Sequence, residues 1–276
     1  MGKHIAFLKK HKRFTILLGC ILLLILVAIL APVLSPYDPD KMILIDSQLK
    51  PGMKHLMGTD VFGRDIFSRI LYGGRISIGI TLGLVLVILV VGTIIGIIAG
   101  YYGGIVDTIL MRISDIMLAF PDLILALAIA GILGAGIWNA FFAILIVSWT
   151  KYARLSRSIT LKLKNKEFIL AAKMTGSKTR HILIQHILPN VTPSAIVTAA
   201  MDIGTVMLAF ASLSFLGFGI PTDIPEWGSM LNEGRMYMES APWLIFFPGL
   251  SIFITISVFN LFGDEVRDIL DPKVRK

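Results

Sequence analysis

Residues 166–190 read KEFILAAKMTGSKTRHILIQHILPN, a basic and helix-forming stretch in a chain whose mean hydropathy is +0.81. Phe168, Ala171, Ala172 and Thr175 fall at i, i+3, i+4 and i+7, and Asn165 is placed to cap the helix they share. The result is a narrow stripe with two small residues at its centre. Gly176 is expected to end that helix, since glycine takes the left-handed conformation of a helix terminus without strain. Ser177 is placed to cap a second helix carrying Leu183, Ile184, Ile187 and Leu188 on one side, which Pro189 is expected to stop at the residue before it. A helix, a turn and a helix follow. Two roles fit: an amphipathic connector on a membrane surface, or a knob that pushes small residues into an acidic groove of a soluble partner.

What surrounds this segment is membrane. The chain has 276 residues, 55% hydrophobic and 16% charged, against about 25% charged in a soluble domain. Uncharged runs at residues 14–34, 76–106, 123–150, 203–222 and 242–263 reach or approach the ~20 apolar residues that span a bilayer. The third run is divided by Leu133-Gly134-Ala135-Gly136-Ile137-Trp138-Asn139, a turn with an interfacial Trp. Six helices are therefore predicted, at 14–34, 76–100, 113–133, 136–153, 191–217 and 242–262. Basic residues before Phe14 and the sequence Leu17-Leu18-Gly19-Cys20 mimic a cleaved leader. The apolar run continues well past Cys20, so an uncleaved first span is expected. Cys20 is the single cysteine, which leaves no disulfide framework or cysteine metal cluster.

Lysine and arginine orient the helices. Most of the 26 fall before residue 14, at 112, within 151–180 and after 263, all on one side of the predicted map. The positive-inside rule then places both termini and residues 166–190 in the cytoplasm. Anionic lipid at that surface accounts for the net charge of +8 without nucleic acid.

Three separated stretches resemble one family. Ala171-Ala172, Gly176 and Ile187-Leu188-Pro189-Asn190 resemble the "EAA" loop of ABC-importer permeases. In the general pattern an acid precedes the two alanines, whereas here Leu170 does and the acid is Glu167; His186 likewise stands where the pattern has Ile. Both variants are similar to the dipeptide, oligopeptide and nickel branch. So are Gly58-Thr59-Asp60-Val61-Phe62-Gly63-Arg64-Asp65 with Gly73-Gly74-Arg75, and, near the C-terminus, Ser214-Phe215-Leu216-Gly217, Glu226-Trp227-Gly228, Gly263-Asp264 and Asp271-Pro272. The resemblance implies an all-α membrane protein of the type I importer permease fold and the second, C-type permease of a prokaryotic inner-membrane importer. It implies residues 1–75 as an N-terminal unit, 76–276 as the transmembrane domain and 164–190 as the coupling loop. Glu167, Ala171, Ala172, Gly176, Leu188 and Pro189 would engage the ATPases. The partners implied are a second homologous permease, two ATP-binding subunits and an extracytoplasmic substrate-binding protein, with nickel, another metal chelate or a di- or oligopeptide as cargo.

Charges inside the spans are few. Asp202 lies midway along the fifth predicted helix, where an exposed acid costs about 2.5–3.5 kcal/mol, so it is expected to bond a neighbouring helix or to line a water-filled substrate path. Its Met-Asp-Ile-Gly context leans toward nickel-type members. Asp115 and Asp122 are expected near the interface, with Pro121 loosening the helix between them. Gly204, Ala209, Ala211 and Ser212 are read as packing residues. Phe62, Ile66, Phe67, Ile70 and Leu71 oppose Arg64, Asp65 and Arg69, which predicts an interfacial helix over 58–75 anchored by its apolar face. The five histidines are scattered and no Gly-rich phosphate loop is present, so no catalytic or metal site and no bound cofactor are expected, and ATP belongs to partner chains. An ion-coupled secondary transporter is the alternative; it calls for more charges at the midplane and an inverted repeat.

Overall fold

The computed structural model describes residues 11–221 and 223–270, and strand pairing among them is limited to one bridge between Thr59 and Asp65. The basic residues before His11 and the Asp271-Pro272 motif lie outside the described residues. Helix α1 (Lys12–Ile29) is followed by the short α2 (Ala31–Leu34), with Pro32 in its first turn where a missing N–H is harmless. Helix α3 (Ile66–Tyr102) is 37 residues long, about 55 Å. It starts ten residues before the expected span because Asp65 caps it: the Asp65 carboxylate accepts from the Ser68 N–H at 2.8 Å. Of the expected interfacial helix over 58–75 only residues 66–75 are helical, as the first turns of α3, while 58–65 form a turn closed by the Thr59–Asp65 bridge.

Helices α4 (Gly104–Leu118) and α5 (Asp122–Leu133) meet at 95° in place of one straight span. Pro121 sits at the N-cap of α5, where its ring excludes a helical conformation at Phe120 and its nitrogen offers no donor. Helix α6 (Ile137–Leu163) runs ten residues beyond its expected end. After α7 (Glu167–Met174), α8 (Thr179–Phe215) is one helix of 37 residues. Two further helices, α9 (Trp227–Gly234) and α10 (Trp243–Leu270), complete the chain. Among the described residues α1, α3, α8 and α10 are long and apolar enough to cross a bilayer, and the bent pair α4–α5 makes a fifth candidate. Six were expected. Helix α6 has the length, but Lys151, Arg154 and Arg157 interrupt its apolar character.

Helices α3 and α6 form the closest pair, along a row of glycines. A Cβ at Gly96 would lie 2.3 Å from the Ala153 carbonyl oxygen, and Gly92 and Gly100 face Tyr152 and Thr160 in the same way. Gly204 of α8 gives Asn260 of α10 its place, which agrees with its packing role. The bundle has two distinct ends. The N-terminus of α3, residues 36–65 and α9 form one, here called the cap. The C-terminus of α3, α7 and the start of α8 form the other, the elbow.

Candidate functional site

At the elbow, Ile169 is fully buried and joins Ile97 of α3 with Ile182, Ile187 and Val191 of α8; Tyr101, Ile159 and Ala172 pack around them. The inward stripe of α7 is thus Ile169 and Ala172, not the expected row from Phe168 to Thr175. Phe168 lies instead beside His186, with ring centroids 6.1 Å apart. Glu167, Leu170, Ala171 and Met174 point out. Neither expected cap forms: Lys166 and Lys178 hold the N-cap positions without side-chain bonds, in place of Asn165 and Ser177. Gly176 does end α7, at φ +81°, and the Ser177 N–H bonds the Ala172 carbonyl at 3.0 Å to close the turn. No heavy atom lies within 4 Å of a Cβ built there, so the site needs glycine for its backbone alone.

Pro189 does not stop the second helix. Residues Ile182–Ile187 are wound as a π-helix in which the Leu188 N–H still bonds the Leu183 carbonyl five residues back. The next residue is Pro189, with no N–H to give. The change from π to α register therefore falls where a donor is already missing, and the helix runs on to Phe215. Leu188 and Pro189 lie within α8, so its elbow end and its membrane portion are one continuous helix.

About 20 Å farther along that helix sits Asp202. It does not stand alone: the Lys151 Nζ lies 2.5 Å from its Oδ1 and the Tyr152 hydroxyl donates to its Oδ2 at 3.0 Å. Helix α6 repeats the arrangement on successive turns. Arg154 pairs with Asp115 at 2.5 Å and Arg157 is bidentate to Asp107. Asp115 is thus partnered by a helix rather than simply interfacial. The cations were legible only as a basic cluster; their spacing of three residues, facing acids in other spans, is the signal that finds them. An open cleft of about 360 Å³ lies over Asp202, lined by Ile88, Leu118, Asp122, Lys151, Arg154 and Thr205 among others.

At the cap Ile66, Ile70 and Leu71 of the expected apolar face are buried, but the opposite, charged face is buried as well. Arg64 and Arg69 are 2% and 1% exposed, whereas Phe62 is open. Arg64 pairs with Asp60 and reaches both Glu233 oxygens at 3.0 and 3.1 Å. The charged face is buried because α9 supplies a partner for it, which no local pattern encodes. Glu226 is wholly enclosed. Its carboxylate accepts from the Ser77 hydroxyl at 3.0 Å and from the N–H groups of Gly228 and Ser229 at 2.9 and 2.8 Å. Burial raises the pKa of Glu226 above the usual glutamate value, against the lowering effect of those hydrogen bonds. Burial likewise raises Glu233, opposed by Arg69 and Arg64. Trp227 donates to the Ile70 carbonyl at 3.0 Å, beside Gly73 and Gly74.

Comparison with known proteins agrees with this architecture. Residues 92–276 match the binding-protein-dependent transport system inner membrane component family, and residues 5–51 match the N-terminal TM domain of oligopeptide transport permease C. A dipeptide transport system permease protein of Alkalihalophilus pseudofirmus is 45% identical over 97% of this chain and 88% of its own length. A glutathione transport system permease protein of Escherichia coli is 44% identical over 98% and 89%. Among solved structures, inward-facing conformations of the MetNI methionine ABC transporter share the fold. One has a TM-score of 0.57 at 16% identity, over 74% of this chain and 96% of that one; a second has 0.52 at 18%.

Proposed function

Since the chain belongs to the binding-protein-dependent transport system inner membrane components, in the C-type permease branch of peptide and oligopeptide ABC importers, we propose that it lines an import path for short peptides. A second homologous permease completes the path, two ATP-binding subunits supply the energy, and an extracytoplasmic substrate-binding protein delivers the cargo. The chain itself binds no ATP. Six crossings serve this role, with α6 and the bent pair α4–α5 added to the four apolar helices, and with the elbow and both termini in the cytoplasm.

The observation that carries the reading is the build of the elbow. Ile169 ties α7 to α3, α6 and α8, while Leu170, Ala171 and Met174 stay open to a partner. Glu167, Ala171 and Gly176 form the docking surface, Ala172 seats α7 on the elbow core, and Leu188 and Pro189 pass its movement into α8. Closure of the ATPases displaces the elbow, α8 tilts, and the walls around Asp202 rearrange. Different contacts in the two states are what allow a remote hydrolysis to bias the path.

Short peptide is the cargo favoured here. The two relatives carry dipeptide and glutathione in their names. Asp202 is neutralised by Lys151, which removes the free acid that pointed to nickel and that an ion-coupled transporter would use. Co-expression with a second permease and two ATPases tests the proposal. A stable complex that imports labelled dipeptide is expected; dipeptide import by this chain as a homodimer without ATPases would overturn it.

A further inference from the structure

Resting on that reading, we propose that the cleft over Asp202 is a binding station for both ends of a zwitterionic short peptide, with Lys151 and Arg154 receiving the carboxylate and Asp202 and Asp122 the ammonium. Five helices build it: α3 gives Ile88, α4 Leu118, α5 Asp122, α6 Lys151 and Arg154, and α8 Asp202 and Thr205. Its size, about 360 Å³, falls in the ~300–1,000 Å³ range of small-molecule sites. Tyr152, 2% exposed, fixes Asp202 from below through its hydroxyl, whereas the Lys151 side chain is 59% exposed.

Charge balance selects the ligand class. The empty station is closed on itself, because Lys151 and Asp202 neutralise each other at 2.5 Å. A zwitterion that parts them exchanges one ion pair for two and leaves no charge unmatched. A metal cation entering the same place strands Lys151, and an anion strands Asp202, so either one leaves a charge without the partner it has in the empty cleft. Arg154 shares its other contact with Asp115, so a carboxylate drawn to it also loosens the joint between α6 and α4. Peptide recognition and helix rearrangement then occur at one point.

Two measurements on the assembled complex test the station. In a Cys20→Ser background, Thr205→Cys places a thiol in the cleft. Millimolar dialanine is expected to slow its reaction with a small methanethiosulfonate reagent, while N-acetyl-dialanine amide, which lacks both charges, is not. Equal protection by the two compounds, or protection by neither, overturns the proposal. This readout needs no transport, so it stands apart from the import assay above. Uptake provides the second test. Lys151→Met, Asp202→Asn and the double variant are each expected to lower dialanine import at least about tenfold, equivalent to ~1.4 kcal/mol, with the complex still co-purifying. Wild-type import by the double variant would reduce the pair to a helix clamp and overturn the station.

Discussion

The cap and the elbow sit at opposite ends of α3 and are built on opposite terms. At the cap, charges are buried and answered: Arg64 by Asp60 and Glu233, and Glu226 by Ser77 and two backbone N–H groups. At the elbow, one apolar residue of α7 is buried, neither helix start has a side-chain cap, and the turn glycine faces open space. A network of buried charges held by paired hydrogen bonds has few alternative arrangements of similar energy. A short helix held by a few methyl groups has several. On the proposed mechanism the difference separates a fixed frame from a lever, and α7 leads through one turn into the helix that carries Asp202.

Breaking the cap is expected to have the largest effect. Glu226→Ala leaves the Ser77 hydroxyl and two buried N–H groups without their acceptor, at about 1–3 kcal/mol for each such group. A fall of at least about 3 kcal/mol in unfolding free energy is expected in detergent, with import lost because the frame is lost. Gly176→Val should do the reverse. A β-branched residue at φ +81° costs roughly 1–2 kcal/mol and meets no neighbour, so thermal stability falls little while import disappears. Normal uptake by this variant would refute the lever.

Protonation sharpens the same contrast. Burial raises the folded pKa of Glu226 and Glu233 above the ordinary value of 4.5. The folded cap therefore holds protons that the unfolded chain releases, and its stability falls as pH rises from 4.5 through the raised values. The thermal midpoint of the wild type is expected to rise as pH is lowered from 7 toward 5, with a smaller slope in Glu233→Gln. The smallest effect belongs to Glu167→Gln. Its carboxylate is exposed, so the change is expected to weaken ATPase co-purification by a few-fold at low salt and negligibly at high salt.

How far the sequence reaches depends on how local the cause is. Uncharged runs placed the apolar helices, and Gly176 announced the end of α7, because both follow from one stretch of chain. Pro189 misled because the π-helical turn before it supplies a register in which its missing donor does no harm. Arg64 and Arg69 misled because the acid that allows their burial, Glu233, lies far along the chain on α9. Asp202 reads in the sequence as an acid that bonds a neighbouring helix or lines a water-filled path, and the structure shows the bond. The identity of that partner, Lys151, depended on the close approach of α6 and α8, which no single span records. Leu170 in place of the expected acid now has a context: the position faces outward, so the departure changes the outer face of α7 and leaves the core of the elbow intact.

A distance measurement between spin labels separates lever from frame most directly. In a Cys20→Ser background, Met174→Cys marks the outward face of α7, while Met236→Cys and Met53→Cys mark the cap; all three positions are well exposed. Pulsed electron resonance on the assembled complex, with and without ATP, should show the separation of the elbow label from either cap label changing, with the two cap labels keeping theirs. An elbow that holds its distance to the cap through the ATP cycle, or cap labels that move as far as the elbow does, would contradict the account.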